Sequence, residues 1–138
     1  AAGADKEARG YKQATPLHIA ANFGREAVVR VLMAAGADME VRNDKQYSPL
    51  HSAAGCGHEA VVQMLLGAGA DKEVRNDEQC TPLHFAAMNG HEAMVQMLLA
   101  AGAGKEVIDD DQCTPLHFAA IKGHEAVVQV LLAAGAEK

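Results

Sequence analysis

Bulky rings are scarce in this chain. Its 138 residues hold no Trp, two Tyr and three Phe, although 49% are apolar. A core without rings must be built from Ala, Val, Leu and Met, which suits closely packed helices better than a β-sandwich. Four prolines and 13 glycines are too few for a collagen-like or Pro-rich disordered chain. No apolar run reaches the roughly 18 residues that a membrane helix needs. Basic residues are outnumbered, 12 against 18 acidic ones, for a net charge of −6. Phosphate contacts need Lys and Arg, so the balance predicts no nucleic-acid partner. The three cysteines cannot all pair, and they form no CxxC. They read as reduced thiols of an intracellular protein, cytoplasmic or nuclear if the chain is natural, with no compartment implied if it is engineered. The start carries no charged and apolar leader, which predicts no secretory signal. It is Ala rather than Met, which predicts a processed or trimmed chain.

What is present is a period. Thr15-Pro16-Leu17-His18 recurs as Ser48-Pro49-Leu50-His51, Thr81-Pro82-Leu83-His84 and Thr114-Pro115-Leu116-His117, in steps of 33 residues that use all four prolines. Gly-Ala recurs in the same register at Gly3, Gly36, Gly69, Gly102 and Gly135. So does a Gly-His/Arg-Glu-Ala run at Gly24, Gly57, Gly90 and Gly123. A fixed period of this length is the mark of stacked repeats.

One unit can be read from its physics. Thr at the N-cap followed by Pro at the first helical position is a strong helix start. Leu17, Ala20 and Ala21 follow at helical spacing, and Gly24 ends the helix. Val28, Val29, Leu32 and Met33 give a second apolar stripe, and Gly36 stands where a left-handed C-cap is wanted. Residues 37–47 are polar and turn-like. Neither helix is long enough to stand alone, so each unit must bury its apolar face on its neighbours.

The period, with T-P-L-H-x-A-A, G-H-x-x-V-V-x-x-L-L and G-A-D, resembles the ankyrin repeat over essentially the whole chain. The resemblance implies an all-α solenoid of helix-turn-helix units with projecting β-hairpin-like loops. It places a half repeat at 1–9 and repeats at about 10–42, 43–75, 76–108 and 109–138 of one domain. It also implies a concave face of loop tips and first helices that binds protein. Two departures stand out. The family carries Gly two residues before the Thr, where this chain has Gln13, Gln46, Gln79 and Gln112, which predicts a tilted or more extended turn. Gly104 replaces an Asp, which predicts a looser last loop.

The seven histidines do not form a metal site. Four lie 33 residues apart and so stand in a row, each predicted to bond the Thr hydroxyl and a neighbouring loop backbone. His58, His91 and His124 open the second helices and are predicted to bond a loop carbonyl. Glu26, Glu59, Glu92 and Glu125 suit the positive end of the helix dipole there. No metal or cofactor is implied. Ser52 stands where the other repeats have Ile19, Phe85 and Phe118. With Gly55 and Cys56 it predicts a small dent walled by Tyr47, Phe23 and Met88.

Differences between the repeats gather in the loops and at the ends of the first helices. The loop candidates for protein contact are Tyr11 and Lys12; Arg42, Lys45 and Tyr47; Arg75, Glu78 and Cys80; Asp111 and Cys113. The helix-end candidates are Asn22 and Phe23, Cys56, Met88 and Asn89, Ile121 and Lys122. Rings at exposed positions in so ring-poor a chain suggest anchors. The charge is unevenly spread: residues 1–69 carry seven bases and seven acids, residues 70–138 five and eleven. Down the loops this predicts a slope from Lys12, Arg42 and Lys45 to the run Asp109-Asp110-Asp111. The last repeat keeps Val127, Val128, Val130, Leu131 and Leu132, with no polar cap. This predicts either fraying or weak self-association of an otherwise monomeric chain.

The function these features predict is a non-enzymatic protein-binding module, or an engineered scaffold with the same face. A second reading is an engineered hydrolase using Cys56, Cys80 or Ser52 as nucleophile. A third is a structural array without a partner.

Overall fold

Each first helix begins at its Thr or Ser. In the computed structural model, which describes residues 4–137, the Thr15 hydroxyl accepts the His18 N–H at 3.5 Å and His18 Nδ1 accepts the Thr15 N–H at 3.1 Å. This reciprocal cap starts α1 (Pro16–Asn22) and is repeated at α3 (Pro49–Gly55), α5 (Pro82–Met88) and α7 (Pro115–Lys122). The second helices, α2 (Glu26–Ala34), α4 (Glu59–Gly67), α6 (Glu92–Ala100) and α8 (Glu125–Ala133), each open on a glutamate. α2 closes on Gly36 at φ 84°, with Gly36 N–H on Met33 C=O and Ala37 N–H on Leu32 C=O. Gly3, the first member of the Gly-Ala series, lies outside the described residues, as do Ala1, Ala2 and Lys138.

The eight helices stack as two layers. α1, α3, α5 and α7 follow one another in the first, with α2, α4, α6 and α8 behind them. Ala53, Ala54, Ala86 and Ala87 are fully buried between the first helices. Small side chains there let the helices approach closely, which accounts for the abundance of Ala. Leu17, Leu50 and Leu83 fill the centre, each worth roughly 2 kcal/mol of burial. The fold is thus an all-α solenoid, with no strand among the described residues.

Hydrogen bonds lace each repeat to the next. His18, His51 and His84 each donate from Nε2 to the carbonyl of Tyr47, Cys80 and Cys113, at 2.8, 2.9 and 3.0 Å. The Thr/Ser and loop-backbone partners expected from sequence are both present for these three, whereas His117, in the last repeat, bonds only Thr114 among the described residues. In the second row, His58, His91 and His124 donate to Asn22, Gly55 and Met88 carbonyls at 2.9, 3.0 and 2.9 Å. These carbonyls end the preceding first helices and do not belong to loops. A helix terminus leaves such groups unpartnered, and the histidine supplies the partner. A third row was not anticipated: Glu7, Glu40, Glu73 and Glu106 accept the N–H of Asp38, Asp71, Gly104 and Glu137 at 2.7–2.9 Å.

The loops close tightly. Asn43 N–H bonds Tyr47 C=O, Gln46 N–H bonds Asn43 C=O, and Gln46 stands at φ 65°. This is a turn with a left-handed residue at the bulge, the place that Gly usually takes. The predicted extended turn is therefore corrected: Gln13, Gln46, Gln79 and Gln112 keep the compact geometry, at φ 62–66°. The side chains of Asn43, Asn76 and Asp109 hold the turn by accepting two backbone N–H groups each. Gly10, at the equivalent place, has no side chain, and the first loop bends differently, with Lys12 also left-handed at φ 56°.

Candidate binding groove

Loop tips are tied into one row. Asp44 N–H donates to Lys12 C=O at 3.0 Å, Asp77 N–H to Lys45 C=O at 3.3 Å and Asp110 N–H to Glu78 C=O at 3.0 Å. Facing this row are the ends of the first helices. Between the first two repeats the two surfaces enclose an open cavity of about 540 Å³. Of the residues predicted from sequence, Tyr11, Lys12, Asn22, Phe23, Lys45 and Tyr47 line it together. Ser52 joins them on the helix side, and Ala14, His18, Ile19, Asn43 and Asp44 complete the wall. Tyr11 is 80% exposed, Phe23 59% and Ile19 46%. Lys12 Nζ lies 5.3 Å from the centre of the Tyr11 ring, within range of a cation–π attraction.

Tyr47 forms the far wall. Its ring packs on Phe85 and His51, with centres 5.1 and 5.6 Å apart. Burial holds its phenol above the ordinary value, and Glu78 adds to this, so the group remains a neutral donor at physiological pH. The dent predicted from Ser52, Gly55 and Cys56 is corrected. The cavity contains Ser52, Tyr47 and Phe23 but not Gly55, Cys56 or Met88. The third repeat fills that space: Asn89 Nδ2 donates to Gly55 C=O at 2.8 Å, and the Phe85 Cβ lies against Gly55. A short Ser52 leaves the groove open, whereas Phe85 closes the next step.

The remaining candidates lie elsewhere. Asn89, Ile121 and Lys122 are exposed along the helix ends, and Met88 is half-buried there. Glu78 and Asp111 are exposed on the later loop tips. Arg42 is corrected as a free cation of the groove, because its guanidinium donates to Arg75 C=O at 2.9 Å and lies outside the cavity, as does the exposed Arg75. Cys80 is corrected as a surface contact: it is 4% exposed, with its thiol turned toward Asp109. Asp109 is likewise buried and spent on its own loop, so only Asp110 and Asp111 of the acidic run face outward.

All three cysteines are free. Burial raises the Cys56 thiol, which lies 3.4 Å from Asn22 Oδ1. Burial and then Asp109 push Cys80 up to about 12. Burial, then Asp109 and Asp111, raise the half-buried Cys113. A nucleophilic thiol needs the opposite shift. Among the described residues no group of three or more His, Cys, Asp or Glu is placed to hold a metal ion, and no helix is long and apolar enough to cross a membrane.

A family model described as ankyrin repeats in three copies matches residues 2–76 and 62–138. The chain belongs to the ankyrin repeat family. No curated protein matches it. In the terms of the ankyrin fold, the cavity lies between the loop tips and the first helices, where the sequence resemblance put the concave face. Ankyrin repeats are generally protein-interaction modules, and the family is typically non-enzymatic.

Proposed function

We propose that this ankyrin repeat chain is a protein-binding module whose partner docks on the groove between the first two repeats. The observation that carries the reading is the cavity of about 540 Å³ walled by Tyr11, Ile19, Phe23 and Tyr47 in a chain otherwise poor in rings. Exposed aromatics around a concave site are typical anchors for a partner. The contact surface extends from there along Glu78, Asn89, Asp111, Ile121 and Lys122. An engineered origin leaves the reading unchanged, since the same side chains form the groove. Free thiols support an intracellular setting. The raised thiols speak against a cysteine hydrolase.

The test compares the chain with a Tyr11→Ala/Phe23→Ala/Tyr47→Ala variant in capture from cell lysate, with circular dichroism as the check on folding. Loss of a specific captured protein from a folded variant supports the groove; an identical set of captured proteins overturns it. A second reading, self-association, is favoured by the last repeat. Val29, Val62 and Val95 are fully buried, whereas the equivalent Val128 is half-buried and Leu132 is 41% exposed. Light scattering on concentrated protein tests it: a species larger than 14.5 kDa supports stacking, and a strict monomer removes it.

A further inference from the structure

The loop tips carry an ordered set of charges. Equivalent positions read Lys12, Lys45, Glu78 and Asp111, each preceded by Tyr11, Asp44, Asp77 and Asp110. The four tips therefore carry one positive charge, zero, two negative and two negative. Backbone bonds between successive tips hold these pairs in one row, so the change of sign is a fixed feature of the surface. The apolar cavity sits at the positive end, with Lys12 and Lys45 among its lining residues and Asp44 as the one carboxylate there.

Resting on the groove as the binding surface, we infer that the partner presents an extended segment of mixed chemistry. At one end a large apolar side chain enters the cavity, flanked by a carboxylate that meets Lys12 and Lys45. Toward the other end, Lys or Arg side chains meet Asp77, Glu78, Asp110 and Asp111. Neighbouring packed helices lie about 10 Å apart, and an extended chain advances about 3.3 Å per residue. From the cavity, between the first and second tips, to the third and fourth is about one and a half to two and a half such steps, so the basic residues stand roughly five to eight positions from the apolar one. Complementary charge of this kind fixes the direction in which the segment lies and rejects segments of the opposite order.

The test is selection of a displayed library of random peptides, about sixteen residues long so as to span the groove, on the immobilised chain. Selected peptides are made synthetically and titrated calorimetrically against three proteins: the chain, the Tyr11→Ala/Phe23→Ala/Tyr47→Ala variant and a Lys12→Glu/Lys45→Glu variant. Both lysines are exposed, so the second variant keeps the fold. The expected result is enrichment of an apolar residue beside Asp or Glu with Lys or Arg roughly five to eight positions away, and affinity about tenfold weaker for the lysine variant. Peptides that need Tyr11, Phe23 and Tyr47 but lack this order, or that bind the lysine variant equally well, overturn the inference and leave the groove standing. A selection in which no peptide distinguishes the chain from the alanine variant overturns both.

Discussion

His51 Nε2 donates to the Cys80 carbonyl at 2.9 Å while its Nδ1 accepts the Ser48 N–H at 3.0 Å. One ring thus caps its own helix and pins the following repeat. Both bonds are made only by the neutral ring with its proton on Nε2, because a protonated Nδ1 cannot accept. Burial depresses the His51 pKa to about 4 against an ordinary 6.5, and burial also lowers His18 and His84.

These histidines predict acid sensitivity of a definite sign. The unfolded chain takes up protons near pH 6.5 and the folded one does not, so stability is full above that pH and falls as pH drops toward about 4. His51 alone accounts for roughly 3 kcal/mol across the window. Urea midpoints should decline through this range, and His51→Gln, which retains a capping side chain, should decline less steeply. A midpoint that holds constant from neutral pH down to the window's lower end contradicts the prediction.

The left-handed glutamines predict gains in stability. Gln46, Gln79 and Gln112 stand at φ 65–66°, and their side chains are exposed. A non-glycine residue there costs about 1–2 kcal/mol, of which the greater unfolded-state freedom of Gly returns a part. Each Gln→Gly change should add about 0.5–1 kcal/mol and raise the melting temperature by a few degrees, roughly additively for the three. Unchanged or lower melting temperatures sink the argument.

Gly104 predicts a local defect. Asp38 and Asp71, its equivalents, accept the N–H of Glu40 and Glu73 at 2.9 Å, a bond Gly104 has no side chain to make. The loosening expected from sequence is thus the loss of one bond, since the tie from Gly104 N–H to Glu73 at 2.8 Å remains. A Cβ built at Gly104 lies 2.9 Å from Val107 Cγ2, but Val41 and Val74 coexist with Asp at the same place in their loops. Gly104→Asp should therefore stabilise by about 0.5–1 kcal/mol and slow exchange of the Glu106 amide. An amide that exchanges as fast as before argues against it.

Local chemistry made most of the fold legible. Thr-Pro fixes where each first helix begins, Gly36 and its equivalents fix where the second ends, and the period assigns every histidine its place. The site was legible in part, for reasons that lie in three dimensions. Phe85 and Asn89 close the step beside Gly55, which displaces the cavity toward Tyr11 and Lys12, and no local pattern reveals that. Within Asp109-Asp110-Asp111, the first carboxylate turns inward only because two loop N–H groups await it. Charge along the chain told which loops are acidic, and the folding of each loop decides which of those acids a partner meets.

The thiols offer the last prediction, one that bears on the enzymatic alternative. The thiolate is the reactive form, and each thiol here is raised rather than lowered. Cys80 combines the highest value, about 12, with 4% exposure, whereas Cys56 is exposed and Cys113 half-buried. Alkylation with iodoacetamide at neutral pH, followed by peptide mass mapping, should label Cys56 first, Cys113 next and Cys80 last. Labelling of Cys80 has to await opening of the loop between the second and third repeats, so its rate should rise steeply in denaturant while that of Cys56 changes little. Fast labelling of Cys56 with an activated pKa would revive a cysteine nucleophile. Fast labelling of Cys80 in the native chain would mean that the lacing from His51 to its carbonyl does not hold.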